Sequence, residues 1–182
     1  MCGFVTFINH GNEDLLNNSV KLLEHRGPDN QSIFWDDKHK SGIGHRRLSI
    51  IDLSIEGNQP FWSEDKKTAV VFNGEIFNFL ELKDTLIKKG VNFRTSSDTE
   101  VLINGYKVFG ENIIHQLNGM FSFVIYDLFT GNIFCARDHM GIKPFYYHHK
   151  NNSIIIASEL KAIISALGYA EPDYSAIVTP MH

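Results

Sequence analysis

The sequence predicts an α+β sandwich in which antiparallel sheets pack with helices. Three observations lead there. Short segments rich in Phe, Val, Ile and Tyr recur along the chain, as strands do. Several are joined by turn residues at hairpin spacing, Thr130-Gly131-Asn132 and Asn151-Asn152 among them. Helical patterns are grouped between these strand runs instead of alternating with single strands, which argues for α+β over a parallel α/β sheet.

Taken in order, residues 4–8 read as a buried strand. Residues 13–26 read as a helix carrying Leu15, Leu16, Leu22 and Leu23 on one side and stopped by Gly27-Pro28. Short strands follow at 31–35, 42–46 and 68–72, then a helix over 79–89 closed by Gly90. Ser97-Asp98-Thr99-Glu100 has the form of a capping box, so a helix starts there and runs to about Phe109. Met120–Asp127 is strand-like, and a turn leads into Ile133–Arg137. Further strands at 144–149 and 153–157 precede a last helix over 159–167, with no interdomain linker before 170.

At 182 residues one domain is expected, large enough to form a core without disulfide or metal staples. Seventeen basic against 21 acidic residues give a net charge of −4, which disfavours a nucleic-acid binder. Lys66-Lys67 and Lys88-Lys89 read as solvated turn and helix-end charges. Two cysteines are too few for a disulfide framework and fit a reducing compartment. No apolar run reaches membrane-spanning length, and Phe4–Ile8 is too short for a signal peptide before Asn9, His10 and Asn12. A cytoplasmic location without membrane or nucleic-acid partners is the expectation. The nine histidines form no ligand cluster, so no metal site is assigned, and His148-His149 alone does not make one. Cys135, within an apolar strand, reads as an inert core thiol.

Cys2 is the first residue with chemical promise. Removal of Met1 would leave a thiol and a free α-amine on one residue, and an amine titrating near ~7.7–8.0 can serve as a base. Taken alone, a Cys at position 2 is more often an incidental small residue. Its company changes that: Met1-Cys2-Gly3-Phe4-Val5, His25-Arg26-Gly27-Pro28-Asp29, His45-Arg46-Arg47-Leu48-Ser49-Ile50-Ile51-Asp52, Asn73-Gly74-Glu75, Ser97-Asp98-Thr99-Glu100, Gly119–Phe123, Arg137–Tyr146 and Ala157–Ala162 follow one another. In this order and spacing the series resembles the class II glutamine amidotransferase domain found at the N-terminus of glutamine-dependent asparagine synthetases. The resemblance covers about residues 1–167.

That resemblance implies the four-layer αββα sandwich of N-terminal nucleophile hydrolases over residues 1–170. It also implies hydrolysis of glutamine through a Cys2 thioester. Arg47 takes the place of the family's carboxylate-binding arginine, where a planar fork suits bidentate pairing. Leu48, Ser49, Ile50 and Ile51 would line the pocket through their backbone, although by pattern they are simple strand core. Asn73 and Gly74 would form the oxyanion hole, although Asn-Gly as a bare dipeptide marks a hairpin turn. Glu75 and Asp98 would bind the substrate ammonium, and Asp98 in a first helical turn also complements the dipole, which would keep it ionised. Arg26 and Asp29 read as structural, their charges pairing nearby. Arg46 departs from the Glu or Thr usual in the family, without consequence if it points outward. The Arg137–Tyr146 stretch reads as a strand-turn-strand scaffold.

No cofactor is needed for this half-reaction; ATP and magnesium would belong to a synthetase domain or subunit. The sequence has no Ser-Gly-Gly-x-Asp phosphate loop, and 171–182 reads as a tail, the start of a connection to that domain. A piece of a longer enzyme, a truncated product and a stand-alone glutaminase subunit stay open, as does self-association through the face left uncovered. So do two other functions: an ammonia source for sugar or peptide amidation, and a non-catalytic glutamine-binding scaffold that keeps Met1.

Overall fold

The structure is a computed structural model that describes residues 1–49 and 54–171. Nine strands and four helices follow one another: β1 (Gly3–Ile8), α1 (Glu13–Lys21), β2 (Asn30–Asp36), β3 (Ser41–Arg47), β4 (Phe61–Trp62), β5 (Thr68–Ile76), α2 (Phe79–Lys88), α3 (Asp98–Phe109), β6 (Gly119–Asp127), β7 (Ile133–Arg137), β8 (Tyr146–Lys150), β9 (Ser153–Ala157) and α4 (Leu160–Leu167). They form a five-stranded sheet, ordered β2-β3-β1-β9-β8, and a four-stranded sheet, ordered β4-β5-β6-β7. Every pairing among the described residues is antiparallel.

Side chains alternate across a strand, so each sheet has two faces to bury. Val5, Phe7 and Ile155 of the first sheet pack under Leu16 and Val20 of α1 and Ala162 and Ile163 of α4. Phe72, Ile76, Phe121 and Phe123 of the second sheet pack under Leu82 and Leu86 of α2 and Val101 to Ile103 of α3. The opposite faces meet each other through Phe4, Ile43, Ala69, Val71, Val124, Tyr126 and Ile156. The layers are therefore helix, sheet, sheet, helix. Each fully buried Leu, Ile or Phe contributes about 1.5–3 kcal/mol of transfer free energy. At one end of the inter-sheet layer the Tyr126 hydroxyl donates to the buried Asp36 carboxylate at 2.7 Å, and His39 Nδ1 lies 2.6 Å from it. The other end is not filled.

Local differences from the sequence reading have physical causes. Helix α1 stops at Lys21, and residues 22–26 continue as turns. Gly27 lies so close to β3 that a Cβ there would overlap the Arg46 backbone, so the chain leaves the helix early to pass beneath that strand. Asn73-Gly74 is not a turn: both residues lie inside β5, opposite Ser122 and Phe121. Arg46 does not point outward but is buried, its Nη1 donating to Gln31 Oε1 at 2.9 Å. Cys135 is exposed: β7 is an edge strand whose neighbouring residues Phe134 and Ala136 take the helix-covered side. The 144–149 strand starts at Tyr146 and belongs to the other sheet from β7, so residues 138–145 cross between sheets. Strand β4 and the 3-10 turns at Ile55–Gly57 and Gly110–Gln116 had no sequence signal strong enough to predict them.

Candidate active site

Alternation delivers the site residues to one place. On β1 the even positions face the second sheet, as Phe4 does, so Cys2 continues that row beyond the strand's start. Gly3 pairs with Arg46, which brings Cys2 beside Arg47; Ile43, His45 and Arg47 form the facing row on β3. On β5, Ala69 and Val71 face inward, and Asn73 and Glu75 extend that row. These rows run out of apolar residues at the same end. The gap they leave is a pocket of about 330 Å³ lined by Met1, Cys2, Arg47, Leu48, Gly57, Gln59, Phe72, Asn73, Gly74, Glu75, Ser97, Asp98, Thr99, Met120 and Lys143.

The nucleophile candidate is held at three points, the first being the Cys2 thiol donating to the Leu48 carbonyl at 3.6 Å. The Leu48 N–H donates to Cys2 Sγ at 3.4 Å, and Arg26 Nε donates to the Cys2 carbonyl at 2.9 Å. Arg26 is in turn paired with Glu159, Nη1 to Oε1 at 3.1 Å, and Glu159 also takes His25 Nε2 at 2.7 Å. The charge pairing expected of Arg26 thus reaches across the chain instead of locally. Burial pushes the Cys2 thiol above its ordinary range, while the Leu48 N–H, the terminal ammonium and Arg47 pull it down.

Opposite the thiol, Asn73 is 1% exposed and its Nδ2 has no hydrogen-bond partner among the described residues. A buried donor left unpaired costs about 1–3 kcal/mol, so its presence here calls for an occupant. Gly74 has φ +156°, and a Cβ on it would overlap the Met120 carbonyl oxygen, so only glycine brings this strand so close to β6. Arg47 Nη1 donates to the Ser54 carbonyl at 2.6 Å and to Asn58 Oδ1 at 2.7 Å, which fixes the guanidinium under the 3-10 turn.

Asp98 opens α3, whose cap is Ser97 accepting from the Glu100 N–H. The reciprocal half of the capping box is redirected: the Glu100 carboxylate accepts from the Arg94 and Thr95 N–H groups. Asp98 Oδ2 accepts from the Ile76 N–H at 3.1 Å. Burial, with a smaller contribution from Glu75, raises its pKa to about 6 despite the backbone donors around it. The helix terminus is therefore not what sets its ionisation. Nearby, His45 Nε2 lies 3.1 Å from the Phe72 carbonyl, and burial lowers its pKa to about 3, so the ring is neutral at physiological pH.

Of the residues singled out from sequence, the pocket brings together Cys2, Arg47, Leu48, Asn73, Gly74, Glu75 and Asp98. Ser49 is not among its lining; its N–H donates to Asp29 Oδ2 at 2.8 Å, which pins the segment after Arg47. Ile50 and Ile51 lie outside the described residues. Sequence reasoning passed over Gln59, Thr99, Met120 and Lys143. Gln59 Oε1 accepts from the Phe72 N–H at 2.6 Å and its Nε2 donates to Thr99 Oγ1 at 3.3 Å, which ties the Asn73 strand to the Asp98 helix. No spacing rule marks it.

A thiol at the head of the first strand, facing a pocket between two sheets that are themselves sandwiched by helices, defines an N-terminal nucleophile hydrolase. The comparisons narrow the class. The family described as "Glutamine amidotransferase domain" matches residues 1–181, and the chain belongs to that family. It is 41% identical to a putative glutamine-hydrolysing asparagine synthetase 2 of Methanocaldococcus jannaschii, over 91% of this chain and 35% of that protein. It is 40% identical to asparagine synthetase 1 of Bacillus subtilis, over 97% of this chain and 29% of that one. Amidase chry2 of Gibberella zeae is 37% identical over 91% of this chain and 26% of its own length. A solved Bacillus subtilis glutamine phosphoribosylpyrophosphate amidotransferase, complexed with ADP and GMP, matches 92% of this chain and 44% of its own with a TM-score of 0.78 at 25% identity. The chain spans about a third of the length of the curated relatives it matches.

Proposed function

We propose that this domain, once Met1 is removed, hydrolyses glutamine to glutamate and ammonia through Cys2. The observation that carries the proposal is the unpartnered Asn73 amide facing the Cys2 pocket. The Cys2 α-amine takes the thiol proton as Sγ attacks the side-chain amide carbon. The resulting oxyanion accepts from Asn73 Nδ2 and the Gly74 N–H, the proton passes to the departing nitrogen, and ammonia leaves. Water then cleaves the thioester. Arg47 holds the substrate carboxylate and Glu75 and Asp98 its ammonium, with Leu48 alongside. A ligand ammonium would offset the burial that makes the Asp98 charge costly. The half-reaction uses no cofactor.

The ammonia acceptor in this proposal is the substrate of a synthetase part beyond these residues, which forms asparagine with ATP and magnesium. The similarity to two asparagine synthetases supports it. So do Met140 and Ile142, large apolar side chains exposed on the loop that carries Lys143 to the pocket, and Phe77 just past Glu75. Likeness to an amidase favours a second reading, in which the ammonia serves another amidation.

Intact mass tests the first step. The purified chain is expected to lack Met1 and to gain one adduct, on Cys2, from a glutamine-analogue alkylator. A chain that retains Met1, or labels only at Cys135, contradicts the proposal.

A further inference from the structure

Lys143 is a buried cation that this account of the chemistry does not use. It is 6% exposed and lines the pocket beside Cys2. Its position is built. The Asp138 carboxylate accepts from the backbone N–H groups of Phe121, Ile142 and Lys143, and Arg137 Nε donates to the Lys143 carbonyl at 2.6 Å. The loop is thereby fastened to β6, the strand that carries Met120 on the pocket wall. Yet the ammonium itself has no ion-pair partner among the described residues; its side-chain contact is the Met1 thioether, Nζ to Sδ at 3.6 Å. A thioether is a weak acceptor and a poor reason to bury a charge. The contact also belongs to the residue whose departure creates the nucleophile.

We propose that Lys143 is a positioning residue for catalysis: when Met1 leaves, its ammonium faces the newly freed Cys2 α-amine and keeps that amine in the unprotonated, proton-accepting form. The proposal rests on the Cys2 mechanism above. The physical basis is like-charge repulsion: a fixed positive charge a few ångströms away disfavours a second ammonium, so the amine gives up its proton at lower pH. Of the other charged groups around Cys2, Arg47 acts in the same sense, its partners Ser54 and Asn58 being uncharged, and Lys143 adds to its field. Arg26 is neutralised by Glu159, and Glu75 and Asp98 act in the opposite sense across the pocket. His45 is neutral.

The test is the pH dependence of glutamine kcat/KM for the wild type, Lys143→Met and Lys143→Arg, each verified by mass to lack Met1. Removing the charge is expected to move the acidic limb up by roughly one pH unit, a Coulomb effect of ordinary size for a partly solvated pocket. That corresponds to a roughly 3–10-fold loss at neutral pH, recovered at high pH and restored by Lys143→Arg. Superimposable profiles, or an arginine variant no better than methionine, overturn the inference. Where neither variant folds, the wild type carrying ¹⁵N-cysteine is titrated by NMR. An amine titrating at or above the ordinary ~7.7–8.0 overturns it, and a lower value supports it. A wild type without Met1 that hydrolyses no glutamine defeats the underlying mechanism instead, so the two failures are distinguishable.

Discussion

At the scale of single residues, Asn73 and Asp98 each bury a polar group on the pocket wall. The Asn73 amide nitrogen is buried without a partner, and the Asp98 carboxyl is buried enough to raise its pKa to about 6. If the first awaits an oxyanion, Asn73→Ala acts on turnover: kcat falls about 10²–10³-fold with little change in KM. A change confined to KM would remove the oxyanion assignment. Asp98 makes a pH prediction with a definite sign. Above about 6 it is a carboxylate that attracts the substrate ammonium; below, it is neutral and the attraction is lost. In a Cys2→Ala background, which cannot turn over, glutamine affinity measured by calorimetry should therefore weaken as pH falls through about 6. Adding Asp98→Asn should make affinity weak and flat across that range. A pH-dependent affinity that persists in the double variant places the titrating group elsewhere.

Strand β5 shows what an element contributes beyond its residues. Its alternation turns Asn73 and Glu75 to the pocket while Phe72 and Ile76 anchor the opposite face under α2 and α3. At Gly74 the strand lies against β6 too closely to admit a Cβ. Gly74→Ala should cost about 1–3 kcal/mol in urea unfolding and lose most activity, because the added Cβ overlaps the Met120 carbonyl and pushes the Asn73 row out of register. Unchanged stability and activity would show that this close approach is not needed. The same strand shows how far sequence could be read. The apolar run from Thr68 was legible, but Asn73-Gly74 carries a local hairpin signal that pairing with Ser122 and Phe121 overrides. The longer strands and the Ser97 cap were legible because period and capping are local chemistry. Two-residue β4, the early end of α1 and the exposure of Cys135 on an edge strand depend on distant neighbours, and no local pattern reports them. Within the pocket, Cys2, Arg47, Asn73, Glu75 and Asp98 come from separated segments, and only the family resemblance drew them together before the structure did. Gln59 and Lys143 are polar residues in loops, which looks the same in sequence whether the side chain faces water or a pocket.

Across the whole molecule, the two sheets do one job together: their facing rows fill the layer between them except at the end where Cys2 lies. None of the helices among the described residues is long and apolar enough to cross a membrane. The pocket of about 330 Å³ leaves room for a small molecule, and these residues contain no phosphate loop. Incubated with glutamine, aspartate, ATP and magnesium, the chain should release glutamate but neither asparagine nor pyrophosphate. ATP-dependent asparagine would mean that ligase chemistry resides here after all. The most direct measurement is glutamine hydrolysis by Cys2→Ala. The substitution removes the sulfur from a half-buried position at the head of β1 and leaves no large cavity, so the circular dichroism spectrum and melting temperature should match the wild type. With the fold so verified, glutamate release should fall to background; release at the wild-type rate would contradict a Cys2 nucleophile and the function built on it.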